Sequence, residues 1–255
     1  MIHFDCHAHV YEDVVVNGAV RYLPKRPAPL QDWLELQTDH GISGGVIVQV
    51  SFLGTDNSQL LHALESLPKG RFAGVAVIAP DTCETEIAAL AANGVKGIRW
   101  NLVAGADLPD FGSEEISTLV ADLAKHGMHI EVQLESSRLA PVLSDFAALP
   151  LPVVIDHMGL PETTADQEPW LNKLEQIENR SNLYAKLSAP YRGTGSTEHA
   201  KRLIGLLGPD KYIWGSDWPH TRHEDRATYA GLKVELGELI DDRKAVQTLY
   251  GLTLA

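Results

Sequence analysis

Eight short apolar or alternating runs recur along this chain, and stretches with helical spacing separate them; that rhythm limits the available folds more than any other feature. The runs are IHFDCHAHV, GGVIVQVS, RFAGVAVI, GVKGIRWNL, HIEVQLE, LPVVIDHMG, NLYAKLSA and KYIWGSDWPH. Between them lie PLQDWLELQTDHG, NSQLLHALESL, CETEIAALAANG, SEEISTLVADLAKHG, SRLAPVLSDFAAL, PWLNKLEQIENR and TEHAKRLIGLLG, with an eighth helix starting near Ala227 and DDRKAVQTLYGL after it. Gly41, Gly94 and Gly127 stand where helices stop, and Ser113 ahead of Glu114 and Glu115 reads as a helix start. Strict alternation calls for parallel strands joined by helical crossovers. Eight units in 255 residues predict a closed (β/α)8 TIM barrel, one domain over residues 1–255, ahead of an open doubly wound sheet.

Composition narrows the partners. Hydrophobic residues at 44% and charged residues at 22% are enough for an ordered core. A net charge of -13, with no dense Lys/Arg run, argues against nucleic acid and anionic membrane as partners. A small anionic substrate fits, because a few arginines in a cleft set the local field whatever the total. The chain is expected to be a monomer or small homo-oligomer. Two cysteines, Cys6 and Cys83, are too few for a disulfide framework and read as reduced packing residues. With no secretory pattern and no long apolar run, the expected compartment is the cytoplasm.

The first strand carries the chemistry. Strict alternation puts His3, Asp5, His7 and His9 on one face and Phe4, Cys6, Ala8 and Val10 on the other, so the apolar face is expected to meet the helices and the polar face to line the barrel. HIEVQLE repeats the split with Glu131, Gln133 and Glu135, and NLYAKLSA repeats it with Tyr184, Lys186 and Ser188. A single buried histidine is ordinarily a satisfied hydrogen-bonding group. Here His7, His9, His157 and Asp217 all fall at strand ends, where barrel active sites are built, and each unpaired buried polar group costs about 1 to 3 kcal/mol.

Asp-x-His-x-His in DCHAH, together with an aspartate in WGSDWPH after the eighth strand, resembles the amidohydrolase superfamily, and RYLP, GTDN, GIRWN, IDHMG and KLSAPYR extend the likeness to its lactonase branch. The resemblance implies hydrolysis of a small carboxylated lactone, as in aromatic-acid breakdown, with Asp217 as general base and His157, His7 and His9 holding the carbonyl or its oxyanion. It also implies substrate contacts from Arg99, Arg192, Tyr22 and Ser51, and Gln133 and His220 are further candidate substrate contacts. Lys186 reads equally well as a further anion contact or as a structural ion-pair partner. Two departures stand out: NLVAGAD has no arginine where the family has one, and Gln133 replaces an aromatic hydroxyl, so one carboxylate clamp is weakened.

The lactonase branch works without a metal, so no cofactor is expected; the alternative is one divalent ion such as Zn on His7, His9, His157 and Asp217. Rival activities are a sugar-acid lactone isomerase or hydrolase, a metal-dependent decarboxylase, and a non-catalytic binder of small acids. The binder is disfavoured because an anion pocket gains nothing from a central carboxylate.

Overall fold

In the computed structural model, which describes residues 2–16 and 22–254, eight parallel strands form one sheet in the order β1 to β8. They are β1 Phe4–Ala8, β2 Gly44–Val48, β3 Phe72–Ala76, β4 Val95–Asn101, β5 His129–Gln133, β6 Val153–Ile155, β7 Leu183–Leu187 and β8 Tyr212–Trp214. Intervening helices are α1 Leu30–Asp39, α2 Ser58–Glu65, α3 Glu84–Ala92, α4 Glu114–Lys125, α5 Ser136–Ala148, α6 Pro169–Gln176, α7 Thr197–Leu207 and the short α8 Tyr229–Leu232, followed by α9 Arg243–Tyr250. The expected (β/α)8 barrel is present as a single domain. Arg21, the first residue of RYLP, lies outside the described residues.

Local signals act as the sequence predicts. Gly41, Gly94 and Gly127 adopt φ of 66°, 91° and 65°, a region that favours glycine at a helix end. The Ser113 Oγ accepts the Ile116 N–H at 3.2 Å, satisfying one free donor of α4. The eighth helix is a single turn that runs on into a π-turn over Lys233–Gly237. Among the described residues no helix is long and apolar enough to cross a membrane.

The barrel seam between β8 and β1 is closed by residues beyond the short β8. Asp217 N–H donates to the His7 carbonyl at 2.8 Å, and His9 N–H donates to the Trp218 carbonyl at 2.8 Å. The bonds that close the cylinder therefore set Asp217 beside the two histidines. Gly215 permits the approach, since a Cβ there would meet His7 Cβ at 2.5 Å.

The parity expected for β1 is corrected by a bulge. Phe4 pairs with Gly44 and Asp5 with Gly45, but Ala8 pairs with Ile47, so one extra residue is inserted between Asp5 and Ala8. Phe4 and Cys6 belong to the lower barrel interior, packed with Val46, Val75, Val154 and Ile213 and with Val246 and Leu249 of α9. Asp5 points outward instead. Its carboxylate accepts the Trp33 indole N–H from α1 at 2.8 Å, the Ser216 N–H at 2.8 Å and the Ser216 hydroxyl at 2.6 Å. The extra residue then returns His7 and His9 to the inside, while Ala8 joins the packing against the helices. A second expectation also fails: Cys6 is buried as predicted, but Cys83 is exposed, its sulfur 3.1 Å from the Thr85 hydroxyl.

Candidate active site

Above the apolar lower layer the barrel is filled by ionised groups. Lys186 of β7 donates to Glu131 Oε2 of β5 at 2.6 Å and to His7 Nδ1 at 2.9 Å, and forms an ion pair with Asp156 Oδ1 at 3.0 Å. Arg99 of β4 donates from Nε to Asp156 Oδ2 at 2.8 Å and from Nη2 to Gln133 Oε1 at 2.7 Å. Tyr250 of α9 donates to Glu131 Oε1 at 2.7 Å. Burial works against the charges of Asp156, Glu131 and Lys186, and pairing overrides it. Lys186 and Arg99 hold Asp156 well below the carboxylate range, Lys186 lowers Glu131, and Asp156 and Glu131 raise Lys186. Of the two readings for Lys186, the geometry matches the ion pair; it lies beneath the cavity and contacts no part of it.

Asp217 sits one layer higher. Its Oδ2 accepts the Tyr191 hydroxyl and the Arg192 Nε–H, each at 2.6 Å. Its Oδ1 is buried without a hydrogen bond, facing Nε2 of His7 at 3.8 Å, of His157 at 3.8 Å and of His9 at 4.0 Å. Burial would raise this carboxyl, but the Arg192 guanidinium beside it keeps it well below its usual range, so it is ionised at neutral pH. Burial lowers all three imidazoles, His9 to about 4 with Arg99 assisting and His157 to about 3 against the pull of Asp217; His7 is depressed by burial and by Lys186. All three are neutral at neutral pH.

The backbone at these positions is strained. Asp217, His157 and His220 have φ of 58°, 51° and 61°, costing about 1 kcal/mol or more each for a residue with a Cβ. Such conformations persist where surrounding bonds over-determine them.

A cavity of about 160 Å³ opens above Asp217, lined by His9, Tyr22, Ser51, Arg99, Gln133, His157, Arg192 and Asp217 among the predicted residues. His7 and Lys186 lie below it. His220, predicted as a substrate contact, is buried near the Tyr191 ring at 6.2 Å and is not among the lining residues. Larger grooves exist, including one of about 530 Å³ at the α9 end, but its Glu65, Lys69 and Lys96 form no buried cluster. We assign the chemistry to the smaller cavity.

Sequence reasoning missed four participants. Asp156 stands beside His157 in IDHMG, but the turn at His157 breaks strand parity and hides it. Tyr191 was overlooked beside Arg192. Arg222 and His223, from the loop after β8, also line the cavity, as do Val103 and Ala104 of the segment that lacks the expected arginine. Proximity to WGSDWPH was the available signal for these two.

His7, His9 and Asp217, and likewise His7, Asp156 and His157, bring donor atoms within 4.8 Å of one another, as a divalent ion requires. The hydrogen bonds limit that use. His9 Nδ1 donates to the Val48 carbonyl at 2.8 Å, which leaves a lone pair on Nε2. His7 Nδ1 instead faces an ammonium, so its own lone pair is used there and Nε2 carries the proton. As bonded, the set does not fit an ion that needs His7 Nε2.

A parallel barrel with imidazoles from β1 and the β6 end around a carboxylate beyond β8 defines a barrel enzyme of hydrolytic type, with its centre at the carboxyl ends of the strands. The chain belongs to the amidohydrolase family, whose profile matches residues 4–251. It is 30% identical over 254 residues to 2-pyrone-4,6-dicarboxylate hydrolase of Comamonas testosteroni, covering 91% of this chain and 81% of that protein. It is 26% identical over 237 residues to 4-sulfomuconolactone hydrolase of Hydrogenophaga intermedia, covering 87% of this chain and 76% of that protein. A solved structure from Acinetobacter baumannii, provisionally assigned as a 2-pyrone-4,6-dicarboxylic acid hydrolase and holding citric acid, superposes with a TM-score of 0.87 at 28% identity, covering 99% of this chain and 100% of that one.

Proposed function

We propose that this chain hydrolyses a small anionic lactone of the 2-pyrone-4,6-dicarboxylate or muconolactone type, opening the ring with water and without a metal. One observation carries the reading: a buried, ionised Asp217 oxygen with no hydrogen bond faces three neutral imidazoles beneath a small cavity bordered by Arg99, Arg192 and Arg222. The names of the relatives support it, since both curated proteins described above act on lactones that carry further acidic groups.

In this reading Asp217 Oδ1 takes a proton as water attacks the lactone carbonyl. Its low pKa makes it a weak base, so water must be well oriented, and His9 Nε2 is the second acceptor that orients it. The developing oxyanion is held by imidazole N–H groups of His7 and His157 in a water-poor site, where fixed donors are most effective. Collapse breaks the ring C–O bond, and the proton held by Asp217 passes to the departing oxygen. Arg192 Nε is committed to Asp217, and the Nη groups of Arg192 and Arg222 provide the grip on the substrate anion, assisted by Tyr22, Ser51 and Gln133. The free cysteines Cys6 and Cys83 suit a reducing compartment, and we assign the enzyme to the cytoplasm and to aromatic-acid breakdown.

The test is a panel of pyrone, muconolactone and aldarate lactones, followed by ring-opening absorbance and product identification with and without chelator. Open-chain acid from an acidic lactone, unaffected by chelator, is the expected result. A ring-shifted lactone as product would make the enzyme an isomerase, and loss of activity on chelation would overturn the metal-free step.

A further inference from the structure

We propose that Lys186 is a positioning residue: its ammonium fixes His7 as the tautomer with the proton on Nε2, making His7 a hydrogen-bond donor into the site and withholding it as a metal ligand. An ammonium has three N–H donors and no lone pair, so the atom that receives it must be an acceptor. Lys186 Nζ lies 2.9 Å from His7 Nδ1. The competing arrangement, in which His7 Nδ1–H donates to Asp156 Oδ1, has a separation of 3.6 Å, beyond hydrogen-bond range, and that oxygen is already paired with Lys186 at 3.0 Å.

Lys186 cannot turn away, because Glu131 binds it at 2.6 Å and Tyr250 binds the other oxygen of Glu131 at 2.7 Å. A chain of contacts thus runs from α9 up the barrel axis to His7. All of these groups are fully buried, or nearly so, and water cannot substitute for them.

His9 is fixed in the opposite sense by the Val48 carbonyl. The two imidazoles of the His-x-His pair, with ring centroids 4.9 Å apart, therefore present a donor and an acceptor to the same Asp217 Oδ1, from 3.8 and 4.0 Å. A water there gives one proton to Asp217 and the other to His9, while His7 Nε2–H is directed at a carbonyl oxygen. The tautomer assignment stands apart from the lactonase reading; its catalytic use rests on that reading.

The direct test needs no variant. Long-range proton–nitrogen correlation spectra of the wild-type protein, labelled with 15N-histidine, should give His7 protonated at Nε2 and bare at Nδ1, and His9 the reverse. Loss of the corresponding signals in His7→Asn and His9→Gln provides the assignment. A His7 protonated at Nδ1, or at both nitrogens, overturns the proposal. A charge-balanced second protein, Lys186→Met with Glu131→Gln, tests the cause. It should lose the Nε2–H signature of His7, lower kcat about 100-fold with little change in KM, and bind zinc at least 10-fold more tightly by calorimetry. Should the double variant fold with His7 still protonated at Nε2, Lys186 is not what fixes it. Failure of every lactone in the panel, with the wild-type spectrum as predicted, would remove the lactonase reading and leave the tautomer intact.

Discussion

Lowering the pH from 7 to 5 should destabilise the fold through the imidazoles that make the site. In the unfolded chain each histidine takes up a proton near 6.5, whereas folded His9 and His157 stay neutral until about 4 and about 3, chiefly because burial penalises the charged form. A group with a depressed folded pKa contributes stability that is complete above its unfolded value and is lost as pH falls toward the folded one. Each pH unit below 6.5 then removes about 1.4 kcal/mol per group, or about 2 kcal/mol for each of the two histidines by pH 5. His7 acts in the same direction.

Asp242 opposes them. Burial lifts its carboxyl to about 6, despite hydrogen bonds from His3 and Phe4 N–H, so the folded protein gains a proton early and recovers about 1 kcal/mol. For His9, His157 and Asp242 together the balance is a loss of about 3 kcal/mol, or roughly 6 to 12 °C in Tm for a chain of this size, and His7 adds to that loss. Melting curves at both pH values, for the wild type and for His9→Gln, check this. The variant should lose about 2 kcal/mol of the pH-dependent difference. Equal Tm values at pH 7 and 5, or an unchanged difference in His9→Gln, would refute the assignment of neutral, buried imidazoles.

Two further perturbations bear on the fold and on recognition. Asp5→Ala should cost about 3 kcal/mol or more by urea denaturation, because it strands the Trp33 indole N–H and both donors of Ser216 inside the protein. An interior-facing Asp5 with no such partners would instead leave stability nearly unchanged. Arg222→Met should raise KM for a dianionic lactone about 3- to 10-fold at low ionic strength with kcat preserved, an effect that shrinks as salt is added; no change in KM would remove Arg222 from the anion grip.

The β/α rhythm was fully legible because periodicity and helix stops are local properties, and the convergence of His7, His9, His157 and Asp217 followed from their positions at strand ends. The facing of Asp5 was not legible. A bulge leaves no residue signature of its own, and Gly45 is at most an indirect trace of it: a Cβ there would meet the Asp5 carbonyl oxygen, and the Trp33 ring at 2.9 Å. Lys186 was ambiguous for a related reason. Which carboxylates surround a buried lysine depends on register between strands far apart in sequence, and Asp156 comes from a turn with left-handed backbone at its neighbour. Arg222 belongs to a loop, where neither period nor pairing indicates direction.

The central claim is that Asp217 activates water to open a lactone ring. Single-turnover hydrolysis of 2-pyrone-4,6-dicarboxylate in 18O-labelled water, with wild-type enzyme and Asp217→Asn, tests it most directly. The account predicts one labelled oxygen in the newly formed carboxylate of the wild-type product and a rate at least 1,000-fold lower in the variant. An unlabelled product, or a variant that turns over at the wild-type rate, would contradict it.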